Sequence, residues 1–153
     1  MFFFVPDSYD KYTKIVEGRK MARVSTSCWF TSLPVKKHND LLICYKSYTP
    51  EEYPKFENYD AINVSTYTDI PMDYDGVMGV PVTFLDKYNP NQFEIIGLGI
   101  SNSGIEVGVQ PYKPEHKEYR KKVQKRGAVD GDLYMMIDGV VTVPYARILI
   151  QKR

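Results

Sequence analysis

The sequence is poor in the residues that mark disulfides, metal sites and many catalytic sites. Its 153 residues include two cysteines, two histidines and one tryptophan. Cys28 and Cys44 each lie in an apolar stretch, and no second Cys or His cluster completes a ligand set, so we expect buried free thiols. His38 has no nucleophile or second His at a telling spacing, so we expect a surface histidine rather than a catalyst.

Long hydrophobic runs and a net charge of one sign are also missing. No apolar run is long enough to span a bilayer, and residues 1–6 lack the basic lead-in and cleavage site of a signal peptide. We therefore expect a cytoplasmic protein with no membrane partner. The apolar content of 43% and charged content of 25% are typical of a folded protein, and the length predicts a single domain over residues 1–153.

Four aspartates in the middle of the chain resemble metal ligands in number but not in spacing. They lack the alternating order and the following Glu of a calcium loop, so we predict loop caps and helix-terminus partners instead. The residues concerned are Asp69, Asp73, Asp75 and Asp86. The sequence therefore predicts no metal site.

Hydrophobic patterning predicts an α+β fold: a mainly antiparallel sheet with a few short helices and long structured loops. Residues 1–39 read as loop apart from one strand. Asp138-Gly139 is the strongest hairpin signal in the chain. The predicted strands cover residues 27–33, 41–45, 61–64, 93–98, 105–109, 133–137, 140–143 and 147–151. The predicted core side chains are Trp29, Phe93, Ile95, Ile148 and Ile150.

Two segments are predicted to be helical. Residues 81–88 alternate in part like a strand, but a proline at the first position and an Asn-Pro after the last favour a short helix. Residues 114–125 read as a basic helix that begins with proline and ends before Gly127.

The basic helix carries the sharpest functional signal. Side chains three and four residues apart share one helix face, and such a face releases counterions when it meets phosphates. The basic residues concerned are Lys117, Arg120, Lys121 and Lys125, with Lys113 and Arg126 at the ends. The alternative is a solvated helix whose Glu115 and Glu118 offset the charge. Lys36 and Lys37 form a smaller basic cluster.

Several runs of the sequence resemble the C-terminal part of adenine-specific DNA methyltransferases of the EcoRI type. The longest is DIPMDYDGVMGVPVTFLDKYNP at residues 69–90, and YPKFENYDAINV at residues 53–64 is similar to the same family. The shorter matches are FVP at residues 4–6, CWFTSL at 28–33, QFEIIG at 92–97 and PYARILI at 144–150. The resemblance implies S-adenosylmethionine as the cofactor of the full-length family and double-stranded DNA as its substrate.

The chemistry that such an enzyme needs has no counterpart in this sequence. Adenine methylation uses a polar-Pro-Pro-aromatic turn that holds the flipped base, yet none of the ten prolines is adjacent to another. The GLGISNSG run at residues 97–104 has Asn102 where a cofactor loop wants its third glycine. No helix is predicted after it, so it reads as a hairpin loop. We therefore expect no catalytic residues and no cofactor-binding residues in this chain.

These observations predict a target-recognition-like segment that is catalytically silent alone and binds DNA or completes a separate catalytic methyltransferase chain. The alternative is a free-standing protein, phage-encoded for instance, that keeps the fold and antagonises a host nuclease or other defence protein. The spacing of the basic face favours the first interpretation, and the near-neutral charge leaves the second open.

Overall fold

A computed structural model describes residues 2–23, 36–125 and 127–153. The chain divides into two compact units, Met1–Pro34 and Val35–Arg153. The assignment of residues 1–153 to a single domain stays a prediction. The predicted strand at residues 27–33, with Trp29 and Cys28, lies outside the described residues.

The first unit contains a three-stranded antiparallel sheet that the sequence patterns did not predict. Its strands are β1 (Phe2–Phe4), β2 (Lys14–Val16) and β3 (Arg19–Arg23), in the order β1-β3-β2. Glu17 and Gly18 join β2 to β3 with φ values of 50° and 75°. Two left-handed residues in succession are typical of a type I′ hairpin turn.

The second unit is built on a four-stranded sheet in the order β4-β5-β9-β6. β9 is antiparallel to both β5 and β6, and β4 is parallel to β5, so β4, β5 and β6 all run in one direction. The bounds are β4 (Ile62–Asn63), β5 (Met78–Pro81), β6 (Phe93–Leu98), β7 (Met135–Ile137), β8 (Val140–Thr142) and β9 (Arg147–Lys152).

The second unit also contains the helices of the described residues and a separate hairpin. The hairpin pairs β7 with β8, and its turn residues Asp138 and Gly139 have φ values of 50° and 75°, which confirms the prediction. The helices are short. They are α1 (Ser101–Glu106), α2 (Pro114–Lys122) and 3-10 helices at Lys36–Asn39, Tyr67–Asp69 and Val82–Lys87.

Apolar clusters cover both faces of the four-stranded sheet, and β9 contributes to each. Ile148 and Ile150 lie in the larger cluster with Phe84 and Phe93, whose rings meet edge to face at 5.3 Å. Leu149 lies in the second cluster on the opposite face. This alternation is the period-two pattern of a strand buried on both sides.

Much of the predicted layout is confirmed. The fold is α+β, with mainly antiparallel sheets and few short helices. The strands at residues 93–98 and 147–151 are present, and Phe93, Ile148 and Ile150 are buried. The short helix predicted at residues 81–88 is the 3-10 helix Val82–Lys87, with Pro81 at its N-cap.

The prediction that Ile95 is buried is wrong. Its side chain is 36% exposed. β6 is an edge strand of this sheet, and its register with β9 shifts between Ile95 and Gly97. One face of Ile95 is therefore left open to solvent although its neighbour Phe93 is enclosed.

The buried strand predicted at residues 41–45 is also wrong. Leu42 is held by the amide of Gln92, which accepts from the Leu42 N–H at 2.7 Å and donates to the Leu42 carbonyl at 3.1 Å. Leu41, Ile43 and Tyr45 are exposed, while Leu42 and Cys44 pack against the larger cluster. A side chain thus takes the place of a strand partner.

The strand predicted at residues 105–109 and the hairpin loop before it are replaced by α1. The Ser101 N–H donates to Asp132 Oδ1 at 2.9 Å, and Gly104 packs on the backbone of Gly131. Gly108 has a φ of 93° and follows the last turn, which suits the end of a helix. Contacts distant in sequence therefore override the alternation of Ile105, Val107 and Val109.

Candidate nucleic-acid interface

Helix α2 is fixed to the protein by its aromatic and polar inner face. Pro114 begins the helix, and its ring suits a first position where no N–H is needed. His116 Nδ1 lies 3.0 Å from the Tyr134 hydroxyl, and the Tyr134 ring stacks on Tyr112 at 4.1 Å. The Gln124 amide donates to the Val141 carbonyl of β8 at 2.7 Å. These contacts hold α2 against the β7–β8 hairpin.

The lysines of α2 and its N-terminal flank face solvent, and most have an acidic partner. Lys113 Nζ lies 2.8 Å from Glu57 Oε2, and Lys117 Nζ lies 2.7 Å from Asp130 Oδ2. These contacts raise the pKa of Lys113 and lower the pKa of Asp130. Lys121 and Lys125 form no salt bridge with any residue that the structure describes.

We define the basic stripe as Lys117 and Lys121, one turn apart on α2, together with Lys125, which follows the end of the helix. All three are exposed. Exposed ion pairs contribute about 0–1 kcal/mol, so Lys117 exchanges Asp130 for a stronger anion at small cost. The stripe therefore presents three cations to a ligand that approaches from solvent.

Arg120 does not belong to this stripe, so the expectation that it shares the face of Lys117 and Lys121 is wrong. Its side chain turns inward, and the residue is only 9% exposed. The guanidinium lies over the ring of Tyr112 at 6.0 Å, and its Nε is enclosed without a hydrogen-bond partner among the described residues. At 100° per residue, position 120 lies about 40° around the helix from position 116, whose side chain contacts Tyr134, and about 100° from position 121.

The predicted helix is shorter than expected, and part of the basic cluster lies elsewhere. α2 ends at Lys122, and Lys125 has a left-handed φ of 53°. Arg126 lies outside the described residues. Lys36 and Lys37 begin the 3-10 helix Lys36–Asn39, where Lys37 pairs with Asp86 at 3.1 Å. That helix contacts Val82–Lys87, whereas α2 contacts β8.

A groove of about 610 Å³ opens beside the N-terminal end of α2. Glu57, the partner of Lys113, lies in its wall. Asn58 fixes the wall because its amide donates to the carbonyls of Gln110 and Asp132 at 3.0 and 2.9 Å. The exposed side chains of this groove include Lys55, Glu57 and Gln110, which are types that form hydrogen bonds with base edges.

The glycine-bearing turn after β6 does not fit a cofactor. Contrary to the sequence prediction, a helix follows it, and the order strand, turn, helix is that of many nucleotide sites. The glycines, however, make room for neighbouring parts of the chain. A Cβ on Gly99 would lie 2.3 Å from Leu133, and one on Gly104 would lie 1.9 Å from the Gly131 carbonyl oxygen. No cradle for S-adenosylmethionine is left at these positions.

The Asn89-Pro90 turn is likewise occupied by its own loop. Asn89 Oδ1 accepts from the Asn91 N–H at 2.8 Å, and its amide donates to the Asp40 carbonyl at 3.2 Å. The predicted role as a turn between two elements is confirmed, since Val82–Lys87 ends before it and β6 begins after it.

Asp69, Asp73 and Asp86 cap or pair with other residues, as predicted. Asp73 Oδ1 accepts from the Tyr48 N–H at 2.7 Å, and Asp69 pairs with Lys46 at 3.1 Å, which lowers the pKa of Asp69. Within residues 2–23, 36–125 and 127–153, no group of three or more His, Cys, Asp and Glu is placed to hold a metal. No helix in those ranges is long and apolar enough to cross a membrane.

The structure also places together residues that the sequence patterns did not single out. Arg147 is buried beside Asn63, although strand periodicity says nothing about a charged residue at the start of β9. Leu41, Ile43 and Tyr45 form an exposed apolar row, although the apolar run at residues 41–45 predicts a buried strand. The signal that distinguishes the two readings is Gln92, which is distant in sequence.

Comparison with known proteins gives the family. The chain matches, over residues 1–153, the family described as "Adenine-specific methyltransferase EcoRI", and it belongs to that family. The type II methyltransferase M.EcoRI of Escherichia coli is 42% identical over 119 residues, which are 72% of this chain and 36% of that protein.

Two further relatives come from mycoplasmas. M.MgeORF184P of Mycoplasma genitalium, a type II methyltransferase, is 41% identical over 60% of this chain and 29% of its own length. M.MpnI of Mycoplasma pneumoniae, also a type II methyltransferase, is 44% identical over 52% of this chain and 26% of its own length. The chain thus spans about a third or less of the relatives that it matches. No solved structure matches it.

Proposed function

We propose that this chain is a DNA-contacting, target-recognition-like segment of an adenine-specific methyltransferase and that it is catalytically silent alone. The observation that carries the proposal is the basic stripe of α2 and its C-terminal flank, in a chain whose family is described as adenine-specific and which spans 36% of the Escherichia coli relative. Lys117, Lys121 and Lys125 contact the phosphates of a duplex and position it, which phosphate contacts do without reading sequence.

The groove beside α2 supplies the second half of the proposal. A duplex seated on the stripe brings base edges toward the wall that contains Lys55, Glu57 and Gln110. Glutamine hydrogen-bonds with adenine, lysine with guanine and glutamate with cytosine. The Asn58 hydrogen bonds hold this wall rigid, and rigidity favours specific readout.

The experiment compares two neighbouring lysines that carry the same charge. Lys121→Gln removes a cation from the stripe, and Lys122→Gln removes one from the adjacent face, where Lys122 pairs with Glu118 at 3.2 Å. Fluorescence anisotropy with a labelled duplex measures the affinity of each variant over a range of salt concentrations. Lys121→Gln is expected to reduce the slope of log K against log salt by about 0.9, and Lys122→Gln to leave it unchanged.

Equal losses of duplex affinity for the two variants would mean that binding depends only on the total charge of the protein. That result would contradict the proposal that the stripe contacts phosphates. A loss that depends on DNA sequence would contradict the role of phosphate positioning, because phosphate contacts weaken binding to all sequences alike.

A second candidate function is completion of a separate catalytic methyltransferase chain. The apolar row favours it, since Ile43 is 80% exposed and Leu41 and Tyr45 flank it on the same side of an extended segment. Contiguous exposed apolar side chains mark interfaces. Co-expression with a family chain that carries the polar-Pro-Pro-aromatic motif tests it: Ile43→Asp should abolish co-purification, whereas Ile105→Asp, on an exposed isoleucine of α1, should not.

A further inference from the structure

Arg147 is a buried cation without an anionic partner. The residue is 9% exposed. Its Nε donates to Asn63 Oδ1 at 2.9 Å, and its Nη1 donates to the Tyr145 carbonyl at 3.4 Å. Both acceptors are neutral. No carboxylate of the described residues forms an ion pair with it, and the remaining residues of the chain, 1, 24–35 and 126, include no Asp or Glu.

Such an arrangement is unfavourable in the free protein. Buried charges are ordinarily paired, because desolvation of an ion is not recovered by neutral partners alone. Burial lowers the pKa of the Arg147 guanidinium, and no carboxylate opposes that effect. Arginine nevertheless stays protonated in proteins. The fold therefore keeps a positive charge that has no counter-anion among the described residues.

The position of Arg147 in the sheet is one where ligands bind. β4, β5 and β6 run in one direction, and their carboxyl ends meet at the edge where β9 begins. In open sheets the carboxyl ends of such strands form ligand crevices. Arg147 is opposite Pro81 in register, and its carbonyl accepts from the Gly99 N–H at 2.8 Å, so it lies at this edge.

Asn63 adds a second donor beside the guanidinium. Asn63 is buried on β4, and its Oδ1 is used by Arg147. Its Nδ2 and the Nη2 of Arg147 donate to none of the residues that the structure describes. Gly79, between them on β5, has no side chain, and a Cβ there would lie 2.8 Å from Phe56 and 3.4 Å from the Cβ of Arg147. The absence of that side chain leaves room for Arg147 to reach across β5.

We propose that Arg147 and Asn63 bind a phosphate of the DNA backbone at the carboxyl edge of the four-stranded sheet. The inference rests on the proposed function, and it adds a second contact to the stripe on α2. Nη2 of the guanidinium donates to a phosphate oxygen in a charge-assisted hydrogen bond, and the Asn63 amide donates to the same group. Tyr145, which is 93% exposed, stands next to it for stacking or sugar contact.

The two contacts lie within reach of one duplex. α2 contacts β8, which ends at Thr142, and Arg147 follows five residues later. Five residues span at most about 18 Å when fully extended. A helical turn of DNA is about 34–36 Å long, which exceeds this separation of Arg147 from the strand that α2 contacts.

The test uses variants that separate a binding role from a structural one. Arg147→Met keeps an unbranched apolar stem as far as the position of Nε and removes the charged guanidinium. It should weaken duplex binding about ten- to a hundredfold, as expected for a lost charge-assisted hydrogen bond. The melting temperature is measured alongside, because the variant also removes the hydrogen bond to the buried Asn63 Oδ1. Asn63→Asp places a carboxylate beside the guanidinium, so it should maintain or raise the melting temperature and also weaken duplex binding.

Asn102→Asp is the matched control for added negative charge, because Asn102 is exposed on α1, which follows β6 at the same edge. It should weaken binding much less than Asn63→Asp. If Arg147→Met fails to fold, the comparison of Asn63→Asp with Asn102→Asp decides the question.

The outcomes separate this inference from the proposed function. Wild-type duplex affinity in both Arg147→Met and Asn63→Asp would overturn the phosphate contact at Arg147. Equal losses of affinity for Asn63→Asp and Asn102→Asp would overturn it as well. Neither result would contradict the proposed contacts of the α2 stripe. A wild-type chain that does not bind the duplex at low salt would overturn both. In that case the anion that pairs with Arg147 would be a carboxylate of a protein partner.

Discussion

The packing of the four-stranded sheet makes a sharp prediction for two isoleucines that face each other across a strand pair. Ile95 of β6 is opposite Ile150 of β9 in register. Ile150 is fully buried in the larger apolar cluster, and Ile95 is 36% exposed at the sheet edge. Replacement of each by alanine removes the same atoms from environments that differ in burial.

The magnitudes follow from that difference. Truncation of isoleucine to alanine removes the equivalent of three CH₂ groups, worth roughly 2.4 kcal/mol when buried at about 0.8 kcal/mol each. Ile150→Ala also leaves a cavity between strands that cannot collapse, so its total cost should be about 2–5 kcal/mol. For Ile95→Ala the exposed fraction reduces the transfer loss to about 1.5 kcal/mol, and the open side removes the cavity contribution.

Urea titrations followed by near-ultraviolet circular dichroism measure both free energies of unfolding. Equal slopes against urea concentration are required for the comparison, since they show that the unfolded states are alike. Equal losses for the two variants, or a larger loss for Ile95→Ala, would refute the assignment of Ile95 to the open edge and of Ile150 to the enclosed core.

Three further outcomes are expected. Tyr112→Phe removes a buried hydroxyl that has no hydrogen-bond partner among the described residues, so it should leave the free energy of unfolding unchanged or raise it by about 1 kcal/mol or less. It should also abolish a tyrosine titration at about pH 12, because burial raises the pKa of Tyr112 to about 12. A wild-type ultraviolet titration without that step would contradict the burial of Tyr112. Gly104→Ala should destabilise the protein by about 1–3 kcal/mol or more, because the new Cβ would meet the Gly131 carbonyl. Gly127→Ala has open space around it, so its effect on the free energy of unfolding should be close to zero. Similar changes in the free energy of unfolding for the two variants would contradict the contact of α1 with Gly131. Calorimetry with S-adenosylmethionine should give no signal with the isolated chain, and micromolar binding would contradict the reading of the glycine turn as internal packing.

The titration of Tyr112 also fixes the direction of a pH effect. Its pKa is raised in the folded state above the ordinary value of 10.0, because burial disfavours the phenolate. The neutral phenol therefore contributes its full stability below about pH 10, and that contribution is lost as pH rises towards about 12. Tyr112→Phe should remove this alkaline loss.

Local signals predicted those parts of the fold that local interactions determine. Asp138-Gly139 takes the two left-handed residues that its hairpin requires, and Pro81 and Asn89-Pro90 bracket a short helix as expected. Glu17-Gly18 adopts the same two left-handed values, but glutamate is not a residue typical of that turn, so the hairpin of β2 and β3 went unpredicted.

Periodicity failed where contacts distant in sequence decide the structure. Residues 41–45 form a continuous apolar run typical of a buried strand, yet the amide of Gln92 holds Leu42 and no strand forms there. Residues 105–109 alternate like a strand, yet Asp132 and Gly131 fix α1 in their place. No pattern within either segment carries information about Gln92 or Gly131.

The candidate site was predictable in its charge but not in its orientation. Spacing placed Lys117 and Lys121 on one face correctly, but it also placed Arg120 there. Tyr112 draws Arg120 inward, and the sequence gives no measure of that attraction. The burial of Arg147 was not predictable either, because it also depends on contacts distant in sequence. These contacts are with Asn63, two strands away, and with Gly79, which has no side chain.

The binding of duplex DNA by the 153-residue chain, measured as a function of salt, tests the central claim most directly. The three lysines of the stripe and Arg147 predict a slope of log K against log salt of about −3.6, at about −0.9 for each phosphate contact. Binding should be detectable at low salt and fall steeply as salt is added. Undetectable binding at low salt, or an affinity that salt does not change, would contradict the claim that this chain contacts DNA.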